Sequence, residues 1–353
     1  MEQTAPLARF PLRNQGARGA VSGRNPTIEK DDEEAIAARS PAKLPRRAWF
    51  SIARCVWRDF SEDRLSMVGA GTAFYILLAL VPALSAFVAV YGLIFDRVSV
   101  VEQVASLSSL LAPEVRSVIE GQLTRLASES SGSLGVAFAV SLTLSLWSAS
   151  AGIKALMDGL NIVYAEEEKR GFVQYYATAL VLTLAGLVGF VAIIAATVAV
   201  PLALDYVAPG QAGGFVRTAS YVVLLGFLWV GLITLYRWGP SREHAKWRWL
   251  APGTIAAMVA LAIFAMLFSW FARTFAGYAS YGSLGAIIAF MTWVWISTVI
   301  VLLGAEINAE VEYRTTHDTT IGPARPMGER GAVMADSAPG THQVRHSRSE
   351  PTR

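Results

Sequence analysis

The chain has 353 residues, 54% of them hydrophobic and 16% charged, with a formal net charge of +3. Soluble domains carry about 45–50% apolar and about 25% charged residues, so this composition argues against a soluble enzyme or a disordered chain and for a membrane protein. The single cysteine, Cys55, excludes an internal disulfide framework and any CxxC zinc or redox site, and three of the four histidines (His317, His342, His346) fall in the polar C-terminal stretch.

Residues 1–44 are rich in Pro, Gly and Arg and contain the acidic run Asp31, Asp32, Glu33 and Glu34, so they read as a disordered tail. No signal peptide is expected, because the first hydrophobic stretch begins near Met67. Residues 46–66 interleave Trp49, Phe50, Ile52, Val56, Trp57 and Phe60 with Arg46, Arg47, Arg54 and Arg58. An aromatic and basic helix of this kind suits a membrane surface with anionic headgroups.

Crossing about 30 Å of hydrocarbon takes about 20 apolar residues. Six stretches qualify, at about 67–95, 134–153, 176–204, 218–236, 250–271 and 283–305. The runs are continuous rather than alternating, so the chain is an all-α polytopic bundle and no barrel. The membrane domain covers residues 45–313. Pro82 is expected to kink the first span. Residues 97–128 are expected to form two amphipathic helices that cap the bundle. Trp293 and Trp295, well inside the sixth span, are expected to pack. Residues 314–353 read as a second disordered tail.

Charge sets the orientation. Of the 30 Lys and Arg, 25 fall in the N-terminal segment, the 154–175 and 237–249 loops and the C-terminal segment, which places both termini in the cytoplasm.

The sequence lacks a GxxxxGK[ST] phosphate loop, an HExxH metal site and a GxSxG nucleophile elbow, so no enzyme, cofactor or metal centre is expected. The candidate functional residues are polar groups near span ends, where charge is costly and faces protein or water. Lys154, Asp158, Asn161 and Tyr164 fall on one helical side just past the Ser-rich second span. Glu306 closes the sixth span after Gly304 and Ala305, and a pairing with a basic neighbour across the bundle is expected. Together these five residues are the candidate polar pathway.

Four stretches carry a family resemblance: GAGTAFYILLALVPAL, WSASAGIKALMDGLNIVY, LYRWGPSREHAKWRWLAPG and YGSLGAIIAFMTWVWISTVIVLLGAEINAE. In this order they resemble the YihY/BrkB family of bacterial inner-membrane proteins, over about residues 46–313. The resemblance implies a six-span fold of unsettled biochemistry. Some members carry a ribonuclease BN label and others a virulence-factor label. The His-rich HxHxDH motif of the metallo-β-lactamase enzymes is not in this sequence. The leading expectation is therefore a transporter-like protein for lipid or small solute. An envelope scaffold or regulator is the alternative, and a membrane-tethered ribonuclease the third. Membrane lipids with anionic headgroups are the expected partners, self-association is left open, and nucleic acid is not expected.

Overall fold

A computed structural model describes residues 38–94, 134–194, 213–274 and 283–337. The described residues are helical, with a single isolated bridge between Ala245 and Thr320 and no strand among them. After a short 3-10 turn at Pro41–Lys43 come α1 (Arg46–Glu62), α2 (Leu65–Ile94), α3 (Leu134–Val163) and α4 (Phe172–Ile194). Then follow α5 (Gly213–Trp238), α6 (Trp247–Thr274), α7 (Ser283–Tyr313) and the one-turn α8 (Val333–Asp336). The two expected cap helices at 97–128 lie outside the described residues.

Three helices contain windows long and apolar enough to cross a membrane, Phe172–Gly189, Trp247–Phe271 and Ile287–Tyr313. Helix α1 and the start of α2 pass the same test only as a pair, and they are bent by 63° at their junction. The bend falls at Asp63 and Arg64, and Arg64 takes the left-handed conformation (φ 51°) that ends a helix. Helix α1 is the amphipathic helix expected from its sequence. Ala48, Ile52 and Val56 are buried against Trp249 and Val311, while Phe50 and Trp57 on the other side are exposed.

Each of the six long helices falls on one of the expected apolar stretches, and most run further. Helix α3 continues well past the expected end of its span, to Val163, so Lys154, Asp158 and Asn161 are helical. It stops in a Schellman-type turn: Glu166 donates its backbone N–H to the Asn161 carbonyl at 2.9 Å, and Ala165 is left-handed (φ 52°). Pro82 is internal to α2, which the structure describes as one helix through it.

Small residues set the close approaches. On Gly253 of α6, a Cβ would collide with the backbone oxygen of Gly304 in α7. On Gly304 it would meet the Ala257 Cβ at 2.7 Å and the Gly253 oxygen at 2.8 Å. Gly152 faces Ile76, and Gly159 faces Val68 and Leu302. The Ser-rich helix α3 thus uses its small residues to pack on α2 and α7. Its Ser150 hydroxyl is satisfied by its own helix, at the Trp147 carbonyl (2.6 Å). Trp295 lies against α2, beside Gly69, and its indole donates to the Ser66 carbonyl at 3.0 Å, while Trp293 is exposed on α7.

The largest buried cluster joins Leu65, Leu160, Val163, Tyr236, Leu250, Ala305, Ala309 and Met334. The start of α2, the end of α3, the end of α5, the start of α6 and the end of α7 therefore meet at one end of the bundle. These are the ends next to the basic segments, so the charge asymmetry in the sequence corresponds to one face of the molecule.

The C-terminal tail is a correction. The sequence predicts disorder for residues 314–337, but they fold over this end. Lys246 N–H donates to the Thr319 carbonyl (2.8 Å) and Ile321 N–H to the His244 carbonyl (3.0 Å). Arg330, 5% exposed, donates to the carbonyls of Thr316, His317, Arg325 and Ala335. Asp336 accepts from the backbone N–H groups of Gly328, Arg330 and Gly331. The tail starting at residue 1 also ends earlier than expected, because Ala38 is buried and its carbonyl accepts from the Thr315 hydroxyl (2.8 Å). Polar side chains here satisfy backbone groups that a hydrophobic pattern cannot reveal.

Candidate functional site

The five candidate pathway residues do not share one surface. Lys154 and Asp158 lie on the α3–α4 face. The Lys154 ammonium sits 4.4 Å from the Tyr176 ring centroid and 5.3 Å from that of Trp147, and these two rings stack at 4.4 Å. Asp158, which is exposed, accepts a hydrogen bond from the Tyr175 hydroxyl at 2.9 Å. Among the described residues no ion pair closes between the two. An ammonium held over aromatic rings at a span end is a typical interfacial arrangement.

Asn161, Tyr164 and Glu306 are instead buried at the polar end. Asn161 joins two loops. Its Oδ1 accepts from Ser241 N–H at 2.7 Å, and its Nδ2 donates to Glu168 at 3.0 Å. Glu168 also holds Arg170 (2.7 Å), whose guanidinium reaches the Trp238 and Gly239 carbonyls at the end of α5. A cation there complements the helix C-terminus. Partial burial pushes the Glu168 carboxyl up, but the hydrogen bonds from Arg170, Asn161 and Ser241 outweigh it and bring it down to about 2.

This depressed pKa gives a sign. Glu168 contributes its stabilisation fully above its unfolded value near ~4.3, and the contribution is lost as pH falls from there toward 2. The protection factors of the 165–171 amides, corrected for the intrinsic pH dependence of exchange, are expected to fall over that window in the native chain. In Glu168→Gln they are expected to be low already at neutral pH and nearly flat below.

Next to this clasp lies a buried ion pair. Arg242 Nη1 donates to Glu312 Oε2 at 2.5 Å, and both side chains are 1% exposed. The other carboxylate oxygen accepts from the Thr319 hydroxyl. The Arg242 guanidinium lies 4.0 Å from the Tyr164 ring centroid. Burial works against the Arg242 charge, but Glu312 and Tyr164 outweigh it and raise its pKa, so it stays protonated. Glu166 ties in the far side, binding Lys169 (2.8 Å) and accepting from Val333 N–H (2.7 Å).

A third group links α1 to α7. Carboxylate oxygens of Asp59, Glu306 and Glu310 all lie within 4.8 Å of one another, and all three residues are buried. Oxygen donors of this type suit a hard cation. Here, however, Asp59 pairs with Arg58 at 3.0 Å and Glu310 with Arg314 at 3.5 Å. The arrangement is therefore a charge network that includes two guanidiniums. Its nearest approach to the half-buried thiol is Arg314, 3.4 Å from Cys55 Sγ. Sequence reasoning expects a basic partner for Glu306 across the bundle and misses the two acids beside it. Glu306 and Glu310 are one helical turn apart, and that spacing is the available signal. Asp59 comes from a helix that no local pattern ties to α7.

Asn308 completes the site. Pro252 breaks the usual pattern early in α6, and the Gly253 N–H donates to Asn308 Oδ1 of α7 at 2.7 Å. The motif stretches ending in LNIVY, in LAPG and in LLGAEIN thus supply Asn161 and Tyr164, Gly253, and Gly304, Glu306 and Asn308, all to the same end of the bundle.

An all-helical bundle with several membrane-length helices and a buried charged layer at one end defines a polytopic integral membrane protein. A family model described as Virulence factor BrkB matches residues 56–328, more than half of the chain, and the chain belongs to that family. It is 31% identical over 266 residues to the putative ribonuclease-like protein YfkH of Bacillus subtilis, covering 69% of this chain and 89% of that protein. It is 27% identical over 278 residues to a UPF0761 membrane protein of Neisseria meningitidis serogroup B, covering 77% of this chain. It spans 64% of that relative's length. A UPF0761 membrane protein of Albidiferax ferrireducens is 26% identical over 270 residues, and the chain spans 62% of it. No solved structure matches the chain.

Proposed function

We propose that the chain is a six-span, transporter-like protein of the bacterial inner membrane that moves a lipid or a small solute and catalyses no chemical reaction. Both termini face the cytoplasm, because the segments gathered at the polar end hold most of the Lys and Arg. One observation carries the reading: the layer of buried charge across that end, Asp59–Glu306–Glu310 beside Arg242–Glu312. Replacing a buried ion pair by packed apolar residues is often neutral or stabilising, so such a layer is poorly explained by stability alone. Charged groups inside membrane bundles tend to mark pathways and gates. The carboxylates that α1 and α7 bring together, and the ion pair that joins α7 to the α5–α6 loop, can exchange partners as the end opens. Uphill movement would draw on an ion gradient.

A scaffold or regulatory role is the second reading. It is favoured by the separation of Lys154 and Asp158, on the α3–α4 face, from Glu306, which is buried at the polar end. A tethered ribonuclease ranks third. Basic loops attract RNA without cutting it, and the positive-inside bias already accounts for them.

The test is a reconstituted proteoliposome in which fluorescent phospholipid is followed by quencher access and an imposed proton gradient by a pH dye. Movement of either that Glu306→Gln abolishes, with the variant still monodisperse, supports transport. If wild-type protein moves neither lipid nor protons, lipid translocation and proton-driven transport fail, and the scaffold becomes the leading reading.

A further inference from the structure

The described residues contain an apolar groove of about 880 Å³ between the 3-10 turn, α1, the start of α6 and α7. Its walls are Ile52 and Val56 of α1, Pro252 and Ile255 of α6, and Ile307 of α7. Its size falls within the ~300–1,000 Å³ of small-molecule sites. Arg248 is the charged residue of the lining. Arg248 stands at the start of α6 and Trp49 in the second turn of α1. Arg248, Pro252 and Ile255 share one face of α6. At 1.5 Å per residue, the groove runs about 10 Å from the guanidinium toward the bilayer centre. Half of a ~30 Å hydrocarbon core is about 15 Å, so the groove covers most of one leaflet. Arg248 is exposed, and no ion pair to a described carboxylate engages it. Lys43 and Arg46 flank the same mouth in sequence.

We propose that this groove holds one anionic phospholipid, its phosphate against Arg248 and one acyl chain along Ile52, Val56, Pro252 and Ile255. Charge complementarity selects this occupant. An apolar slot alone would accept any acyl chain, but a cation at its headgroup end favours an anion. The bound lipid is a resident and not a cargo, so the inference does not depend on the transport reading.

The experiment uses the full chain in nanodiscs of phosphatidylglycerol and phosphatidylcholine. Each preparation carries a trace of one lipid with a photoactivatable group in its acyl chain, and the labelled peptides are mapped by mass spectrometry. The phosphatidylglycerol probe is expected to label peptides containing residues 49–56 and 251–256. Its excess over the phosphatidylcholine probe is expected to be about fivefold, the weight of one basic residue beside an anionic lipid. Arg248→Gln is expected to erase that excess, and as a surface substitution it leaves folding intact. Ala53→Trp places bulk in the groove and is expected to remove labelling of both peptides by both probes. Equal labelling by the two probes in the native chain overturns the proposal, since the groove then holds only bulk lipid. Absence of label from these peptides also overturns it, the result if residues 1–37 or a second copy fill the groove. Because the readout needs no lipid movement, its failure is distinct from a failure of transport.

Discussion

Gly253→Ala is expected to unfold the polar end of the bundle. The added methyl would collide with the Gly304 backbone oxygen, which cannot rotate aside, and press on the Asn308 side-chain amide, which is held by the Gly253 N–H. Overpacking of a tight core costs about 1–3 kcal/mol, and more where backbone must move. The helices would have to separate. That would break the Gly253 N–H bond to Asn308 and leave a buried donor, at about another 1–3 kcal/mol. A total near ~4 kcal/mol is a large part of the ~5–15 kcal/mol that holds most folds together. Gly304→Ala is expected to behave alike, for it faces Ala257 and the Gly253 oxygen. Gly186→Ala is the control, because a methyl added there on α4 would meet nothing within 4 Å. That change is expected to be neutral, or to stabilise by up to ~1 kcal/mol through helix propensity. Heating detergent-solubilised protein and reading the monodisperse fraction by size exclusion separates the three variants. Equal midpoints would show that α6 and α7 do not pack through these glycines.

The second large effect concerns Arg242 and Glu312. Glu312→Leu leaves a buried guanidinium without its counter-charge, and removing one partner of such a pair costs about 3–5 kcal/mol. Arg242→Met alone strands the carboxylate and is expected to cost as much. The double replacement Arg242→Met with Glu312→Leu is expected to recover most of the loss, because no charge is then left buried. The double-mutant cycle therefore has a strong favourable coupling. Coupling near zero would mean that the two groups are hydrated and act independently. Proteolysis of the 314–337 segment gives a second readout, since Thr319 is held by the same carboxylate.

These two sites also show what can be read from the sequence. Helix positions are legible because lipid imposes a length and an apolar composition on each span. The amphipathic pattern of α1 is legible because Ile52 and Val56 recur at helical spacing between arginines. That one end of the bundle gathers the basic segments is legible from the Lys and Arg positions alone. The Gly253–Gly304 contact is not, because a glycine in an apolar run does not name its partner. The Asp59–Glu306–Glu310 group is half visible, as two acids one turn apart on α7, while Asp59 arrives through the bend at Arg64. The fold of residues 314–337 is hidden for another reason. It is built by Arg330 and Asp336, and by Asp318, which accepts from the Thr320 and Arg325 N–H groups, and to a hydropathy argument such residues resemble a solvated tail. Of the candidate pathway, Lys154 and Asp158 do lie near a helix end. Their separation from Glu306 depends on how α3 is turned against α4 and α7, and helical spacing does not fix that.

The pairing of residues 319–321 with the 244–246 loop also orders biosynthesis. The loop between α5 and α6 leaves the ribosome well before Thr319 and Glu312 do. Until then Arg242 has no counter-charge, and the first turn of α6 lacks its cover. The membrane helices can be inserted one after another, yet this end can close only when the last segment arrives. A nascent chain halted after Tyr313 would already hold every described long helix, with its basic face still open to chaperones, proteases and lipid headgroups.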